Sequence, residues 1–241
     1  MSDGTKEVVV ITGGTGYLGS NIVRALYQAG YTLVVLTRST ITQSPEEGVH
    51  YITADLADAE SLVSAASLVR AQYGMVVALI HAAAAPLVRK PLLSLLYEEA
   101  QMQFAPQTMG AFQFFKIFAP LVRDGGHVLG ITTAAIEPGA KYAPSGVYGA
   151  AKQALRGMLR TLAAELKERS IMVSAVAPAF MPGGLNSDMP EAVIELITKK
   201  SAPEDVTSPE EVAATILAIL QGAMSVDGKS VRIPGRALSD L

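Results

Sequence analysis

The run Val8-Val9-Val10-Ile11-Thr12-Gly13-Gly14-Thr15-Gly16-Tyr17-Leu18-Gly19 limits what this chain can fold into more than any other stretch. Val8 to Ile11 are β-branched and uncharged, as in a strand buried on both faces. Four glycines follow within seven positions, and Asn21 to Tyr27 then place apolar residues at helical spacing. A glycine-rich turn between such a strand and an amphipathic helix answers three needs at once. It allows positive φ, removes Cβ atoms where backbone meets a pyrophosphate, and lets helix and strand approach closely. The N–H groups that open the helix then face the phosphates. Gly14, Gly16 and Gly19 fit this dinucleotide fingerprint, and Gly13, Thr15, Tyr17 and Leu18 complete the turn. The bland alternative is a structural turn.

The rest of the chain alternates short apolar strands with amphipathic helices. Strands are expected at Thr32–Leu36, Val49–Thr53, Met75–Ile80, His127–Thr132, Ile171–Val176 and Lys229–Ile233. The order describes an α/β, Rossmann-type doubly wound sheet of about seven mostly parallel strands, with helices on both faces. With 241 residues and 50% hydrophobic content, residues 1–241 read as a single dinucleotide-binding domain with a substantial core. A helical region is expected from Leu92 to Arg123, interrupted at Pro106. Five of the six phenylalanines lie in it, on more than one helical face, which suggests that a partner subunit covers part of it.

Composition excludes several functions. A net charge of −3 without a basic cluster leaves no field for nucleic acid. The absence of cysteine removes disulfides and thiolate chemistry. His50, His81 and His127 have no metal-ligand spacing, so no metal is expected. The N-terminal residues are polar, and the longest apolar run, Met75 to Val88, is too short to span a bilayer. A soluble, cytoplasmic protein without a membrane partner is the expectation.

The second strand ends at Thr37-Arg38-Ser39. An acidic residue here would grip the ribose hydroxyls of NAD. Arg38 instead offers a guanidinium fork for a 2′-phosphate, which points to NADP (NADPH) rather than NAD. Asp55, with Leu56 after it, can accept a hydrogen bond from adenine or cap the helix beginning at Asp58-Ala59-Glu60. At the end of the fourth strand, His81, Ala82 and Ala83 let backbone approach a ligand.

Tyr148 and Lys152 are one helical turn apart on one face. A nearby ammonium favours phenolate, so this spacing predicts a Tyr148 pKa lowered towards useful acid/base range.

Taken together these pieces resemble a short-chain dehydrogenase/reductase across nearly the whole chain. The matching residues are the glycine turn, Asp55, Ile131-Thr132-Thr133, the pair Tyr148 and Lys152, and Ala177-Pro178 after the sixth strand. The resemblance implies hydride transfer between nicotinamide and a carbonyl or secondary alcohol, as in a ketoreductase or 3-oxoacyl reductase. Tyr148 would be the acid/base, and Lys152 its partner and a ligand of the nicotinamide ribose. Thr133 would orient the substrate, with Thr132 as the fallback, and Gln107 would take the place of the asparagine that holds a relay water. Pro178 would lie against the cofactor. Gly13-x-x-Gly16-x-x-Gly19 and His81-x-Ala83-Ala84 resemble the family's extended branch, whereas the length and the stretch after Tyr148 resemble its short form. The chain reads as a divergent short-form member.

Residues from about 178 to 200, with Phe180, Met181, Gly183, Gly184, Leu185 and Met189, sit where that family places a substrate lid. Lys141 and Tyr142 are further pocket candidates. Ala150, Ala154 and Ala164 on the Tyr148 helix, with the phenylalanine-rich helix, resemble the family's dimer interface, so a homodimer or homotetramer is expected. Two alternatives remain: a non-catalytic NADP-binding sensor or scaffold, and an epimerase or dehydratase like those of the extended branch.

Overall fold

A computed structural model describes residues 7–39, 41, 46–140 and 146–241. Lys141 and Tyr142 lie outside the described residues. Eight strands form one sheet in the order β3-β2-β1-β4-β5-β6-β7-β8. They are β1 (Val8–Thr12), β2 (Thr32–Thr37), β3 (Val49–Thr53), β4 (Val76–His81), β5 (Val122–Ile131), β6 (Met172–Pro178), β7 (Lys229–Ile233) and β8 (Leu238–Asp240). The first seven run parallel, and β8 returns antiparallel along β7. The chain starts in mid-sheet at β1, steps outward to β3, then crosses to β4 on the other side of β1. That reversal opens a crevice at the carboxyl ends of β1 and β4, where ligands of such sheets bind.

Alternation along β1 divides the core in two. Val8 and Val10 face one layer, with Leu62, Phe114, Phe115, Phe118, Leu155 and Leu159. These come from α2 (Ala59–Tyr73), α4 (Met109–Phe118) and α5 (Tyr148–Glu165). Val9 and Ile11 face the other, with Ile22, Leu26, Val212 and Ile216 of α1 (Tyr17–Gln28) and α7 (Pro209–Leu220). Both faces of the sheet are covered, which is why its strands read as unbroken apolar runs. The helix ends follow local chemistry. Asp58 accepts from the Glu60 N–H at 3.0 Å to start α2, and Ser208 and Glu211 form a reciprocal cap on α7. Asp55 is not the cap; its carboxylate closes a local turn on the Ala57 N–H at 2.9 Å.

Three expectations need correction. The helical region is broken around Pro106 as expected, into α3 (Tyr97–Phe104) and α4, but it does not reach Arg123: the chain is already in β5 at Val122. Gly126, read as a turn before the strand, lies inside it. A Cβ there would meet the Val77 carbonyl at 2.7 Å, where the β4–β5 register shifts. Phe114, Phe115 and Phe118 are wholly buried within the chain, so only Phe112 of α4 leaves its ring open to a partner, at 46% exposure. The eighth strand, three residues long after Pro234-Gly235, carried no periodic signal. Among the described residues no helix is long and apolar enough to cross a membrane.

Candidate active site

A cavity of about 1650 Å³ runs over the carboxyl ends of the strands, from Arg38 and Asp55 at one end to the segment after β6 at the other. The glycine turn forms its floor. Gly13 has φ +73°, and a Cβ on it would meet the Ala83 nitrogen at 2.6 Å, so the β4 loop lies directly against it. Gly16 precedes α1 and brings no side chain to its end. With no capping group, the first N–H donors of the helix remain available to an anion. A Cβ on Gly19 would fall 2.0 Å from the Gly13 carbonyl oxygen, so the third glycine is needed for the helix to pack on the turn. Gly14 departs from its expected role. It is turned away from the cavity, and a Cβ there would meet Val35, Ile11 and Val23 side chains at 2.8 to 3.2 Å. It serves packing, and Gly13 supplies the positive φ.

Thr15, Gly16, Tyr17, Leu18, Arg38, Ser39, Asp55, Leu56, Ala82, Ala83 and Pro178 all line the cavity. Arg38 is exposed and, among the described residues, makes no hydrogen bond or ion pair. Leu56 packs at the Cα of Gly110, which has room for little more than hydrogen there. His81 is a correction: its side chain is 1% exposed and does not reach the cavity. Its Nδ1 pairs with the Thr12 hydroxyl at 2.9 Å, and its ring stacks among Phe114 and Phe115. Burial, with the Lys152 charge second, holds this imidazole down at about 3, so it is neutral.

Thr133, Tyr148 and Lys152 converge at the end of β5. The Lys152 ammonium, 3% exposed, donates to the Ile131 carbonyl at 2.8 Å. The Tyr148 phenol is hydrogen-bonded to the Thr133 side chain. Thr132 turns the other way, its N–H and hydroxyl both given to the Val176 carbonyl of β6 at 2.8 and 3.3 Å. Contrary to the sequence expectation, Tyr148 is not acidified. Lys152 Nζ lies 5.7 Å from the centre of the phenol ring and is spent on Ile131. Burial therefore prevails, pushing Tyr148 up to about 12 against its bond with Thr133, and Lys152 down to about 7. Each environment favours the neutral form. Gln107 lies in the break between α3 and α4, fully buried and not on the cavity wall. Its Nε2 donates to the Gln103 carbonyl at 2.9 Å, and its Oε1 has no partner among the described residues.

The segment after β6 closes the far end. Phe180 bridges to Val206, so residues 181–205 leave and rejoin the body at one stem. The segment holds a short 3₁₀ turn (Gly184–Asn186) and α6 (Glu191–Lys200). Gly183 and Gly184 take φ of +100° and +58° beneath the ring of Tyr17, whose hydroxyl donates to the Pro182 carbonyl at 3.0 Å. Arg89 grips the other side, donating to the Leu185 carbonyl and Asn186 Oδ1, both at 2.8 Å, and to the Asp188 carboxylate at 3.1 to 3.3 Å. Neither Arg89 nor the role of Tyr17 in holding the lid was readable from sequence, since both partners lie more than ninety residues away.

The residues present fit a dinucleotide: a turn whose glycines a Cβ would jam, an uncapped helix end, and a cation with no partner at the adenosine end. Among the described residues no cluster could hold a metal ion. Comparison with known proteins agrees. A family model described as enoyl-(acyl carrier protein) reductase matches residues 16–233. A short-chain reductase protein, NovJ, of Streptomyces niveus is 25% identical, over 95% of this chain and 93% of its own. A short-chain dehydrogenase/reductase from Brucella melitensis shares the fold at TM-score 0.84 and 21% identity, covering 97% of both chains. A blue fluorescent protein from a metagenomic library, solved with NADPH, does so at TM-score 0.79 and 24% identity, covering 95% of this chain and 97% of its own. This chain belongs to the short-chain dehydrogenase/reductase family and is an NAD(P)-dependent oxidoreductase.

Proposed function

We propose that the protein is an NADP-dependent carbonyl reductase in which Tyr148 hands a proton to the substrate oxygen. The observation that carries this reading is the placement of Tyr148: a phenol on the cavity wall, bonded to Thr133, with the buried Lys152 one helical turn away. A neutral phenol can give its proton to a carbonyl oxygen on which negative charge develops. When bound, the reduced nicotinamide supplies the hydride for the carbonyl carbon. The chain's own groups do the rest. The Thr133 hydroxyl orients the carbonyl, and Tyr148 protonates its oxygen as negative charge develops there. Lys152, able to exchange its proton near pH 7, restores the phenol. Gln107, with an unanswered amide oxygen, holds a water behind Lys152 through which the proton is replaced.

The lining of the cavity supports a placement for the cofactor. The turn from Gly13 to Gly19 takes the pyrophosphate, Asp55 and Leu56 the adenine, Ala82, Ala83 and Pro178 the middle and nicotinamide end, and Lys152 its ribose. Arg38 and Ser39 take a 2′-phosphate. The NADPH held by a protein of the same fold is consistent with this choice. The lid between residues 178 and 200 closes over the reacting atoms and excludes water. A homodimer or homotetramer is supported by exposed apolar residues on α3 and α4 (Tyr97, Met102, Met109 and Phe112) and on the segment before them (Leu93 and Leu96), together with the exposed small residues Ala150 and Ala164 of α5. The test is Tyr148→Phe. It removes the proton and leaves the ring, so kcat should fall by roughly 10²–10⁴ while NADPH affinity, read by fluorescence titration, stays within about twofold. Retention of full turnover refutes the assignment.

A further inference from the structure

The cavity beyond the nicotinamide end has an uneven chemistry. Its lid side presents Phe180, Met181, Leu185, Met189 and Ile197, and Leu87 faces them from the β4 loop. Two methionines among them supply unbranched, polarizable cover that adapts to more than one shape. The helix α6 has no buried residue, and leaves Val193 and Leu196 38% and 51% exposed. Apolar surface of this kind gains from an apolar guest.

Among the described residues, the two guanidinium groups of this half are already paired with carboxylates. Arg89 lines the cavity, but its Nε and Nη2 are turned to the lid, and Asp188 answers its charge. The Asp188 carboxyl is held low mainly by its hydrogen bond to Arg89, so the pair persists through neutral pH. Arg232 is likewise paired with Asp205 at 2.8 Å. Lys200 remains, at the exposed rim on the last turn of α6, where water screens it. Among the described residues, an anionic substrate would therefore lose its hydration and find both guanidinium charges of this half already answered by carboxylates.

Resting on the reductase reading above, we propose that the substrate is an uncharged ketone with a flexible apolar chain. Arg89 contributes by being committed to the lid: paired with Asp188, it leaves the carboxylate of a keto acid without a free guanidinium.

The experiment follows NADPH oxidation by the full-length protein with 2-butanone, 2-octanone, 2-oxooctanoate and acetoacetyl-CoA. The expected result is a kcat/KM for 2-octanone at least a hundredfold above that for 2-oxooctanoate. Each methylene from 2-butanone to 2-octanone should add about three- to fourfold. Asp188→Asn, which frees Arg89 without removing it, should narrow the preference for 2-octanone over 2-oxooctanoate at least tenfold. Turnover of 2-oxooctanoate or acetoacetyl-CoA equal to or better than 2-octanone overturns the proposal and leaves the reductase reading intact. An unchanged preference in Asp188→Asn, shown by circular dichroism to be folded, overturns the role of Arg89. NADPH binding without oxidation by any of the four carbonyls overturns the proposal and the reductase reading together.

Discussion

The two ends of the cavity are built by different means. At the nucleotide end, contact is backbone on backbone. The β1–α1 turn meets the β4 loop and its own helix at distances where no Cβ fits, and the strands beneath are wholly buried. At the other end, contact is made by side chains: one tyrosine hydroxyl, two arginines and a two-residue stem hold residues 181–205. The first construction permits one geometry. The second can be loosened one hydrogen bond at a time, which suits a part that must open for substrate and product. Precision sits at the glycine turn, and adaptability in the segment after β6.

Four changes test that contrast, beginning with the largest. His81 sits behind the nucleotide end and is neutral, with a folded-state pKa near 3 against an ordinary 6.5. Between those values the unfolded chain binds the proton and the folded one does not. Stability should therefore fall as pH drops from about 6.5 to 3, by about 1.4 kcal/mol per pH unit, and level off below. Urea unfolding across that range measures the slope, and His81→Asn should flatten it. If the slope is unchanged, the imidazole is not held neutral.

Gly19→Ala attacks the same end through sterics. Its Cβ would collide with the Gly13 carbonyl at 2.0 Å, and relief costs about 1–3 kcal/mol. A melting temperature lower by roughly 3–10 °C, with weakened NADPH binding, is expected. A variant as stable as the parent would mean the turn is softer than described.

Arg38→Ala is gentler, because the side chain is exposed and supports nothing else. It should lower the affinity for NADPH about tenfold or more, the loss of a charge-assisted contact, and leave NADH and thermal stability unchanged. Isothermal titration with both cofactors decides it; equal losses for both would remove the 2′-phosphate assignment.

Arg89→Ala is the lid-end counterpart and should be the smallest. It removes one tether of three, so KM for the ketone should rise about three- to tenfold while kcat and melting temperature change little. A fall in melting temperature as large as that of Gly19→Ala would erase the distinction between the two ends.

The legibility of the molecule follows the same division. Strands β1 to β4 and β7 fall within a residue or two of their sequence positions, because burial on both faces writes an uninterrupted apolar run. The α7 cap and the α2 start were legible from four or five adjacent residues. The boundary between α4 and β5 was not, since Leu121 and Val122 suit a helix as well as a strand. The pairing with Val76 decides between them. In the site, local spacing found Tyr148, Lys152 and the glycine turn. It misjudged Gly14 and His81, whose neighbours Val35 and Phe114 come from other elements. It also misjudged the acidity of Tyr148, because spacing on a helix does not reveal that Lys152 is committed to Ile131 or that both groups are desolvated.

By itself, then, the order of residues determined whatever depends on near neighbours along the chain. That covers the strand–turn–helix that opens the fold, the layering of helices on a parallel sheet, and the tyrosine and lysine sharing a helical face. Tertiary structure decided what depends on solvent exclusion and on partners remote in sequence. It placed Gly13 rather than Gly14 at the cofactor's turn, buried a neutral histidine, kept a phenol protonated, and spent Arg89 on the lid. Hydrogen-bonding and burial energies belong to the environment a side chain enters, and that environment exists only after distant strands and helices have come together.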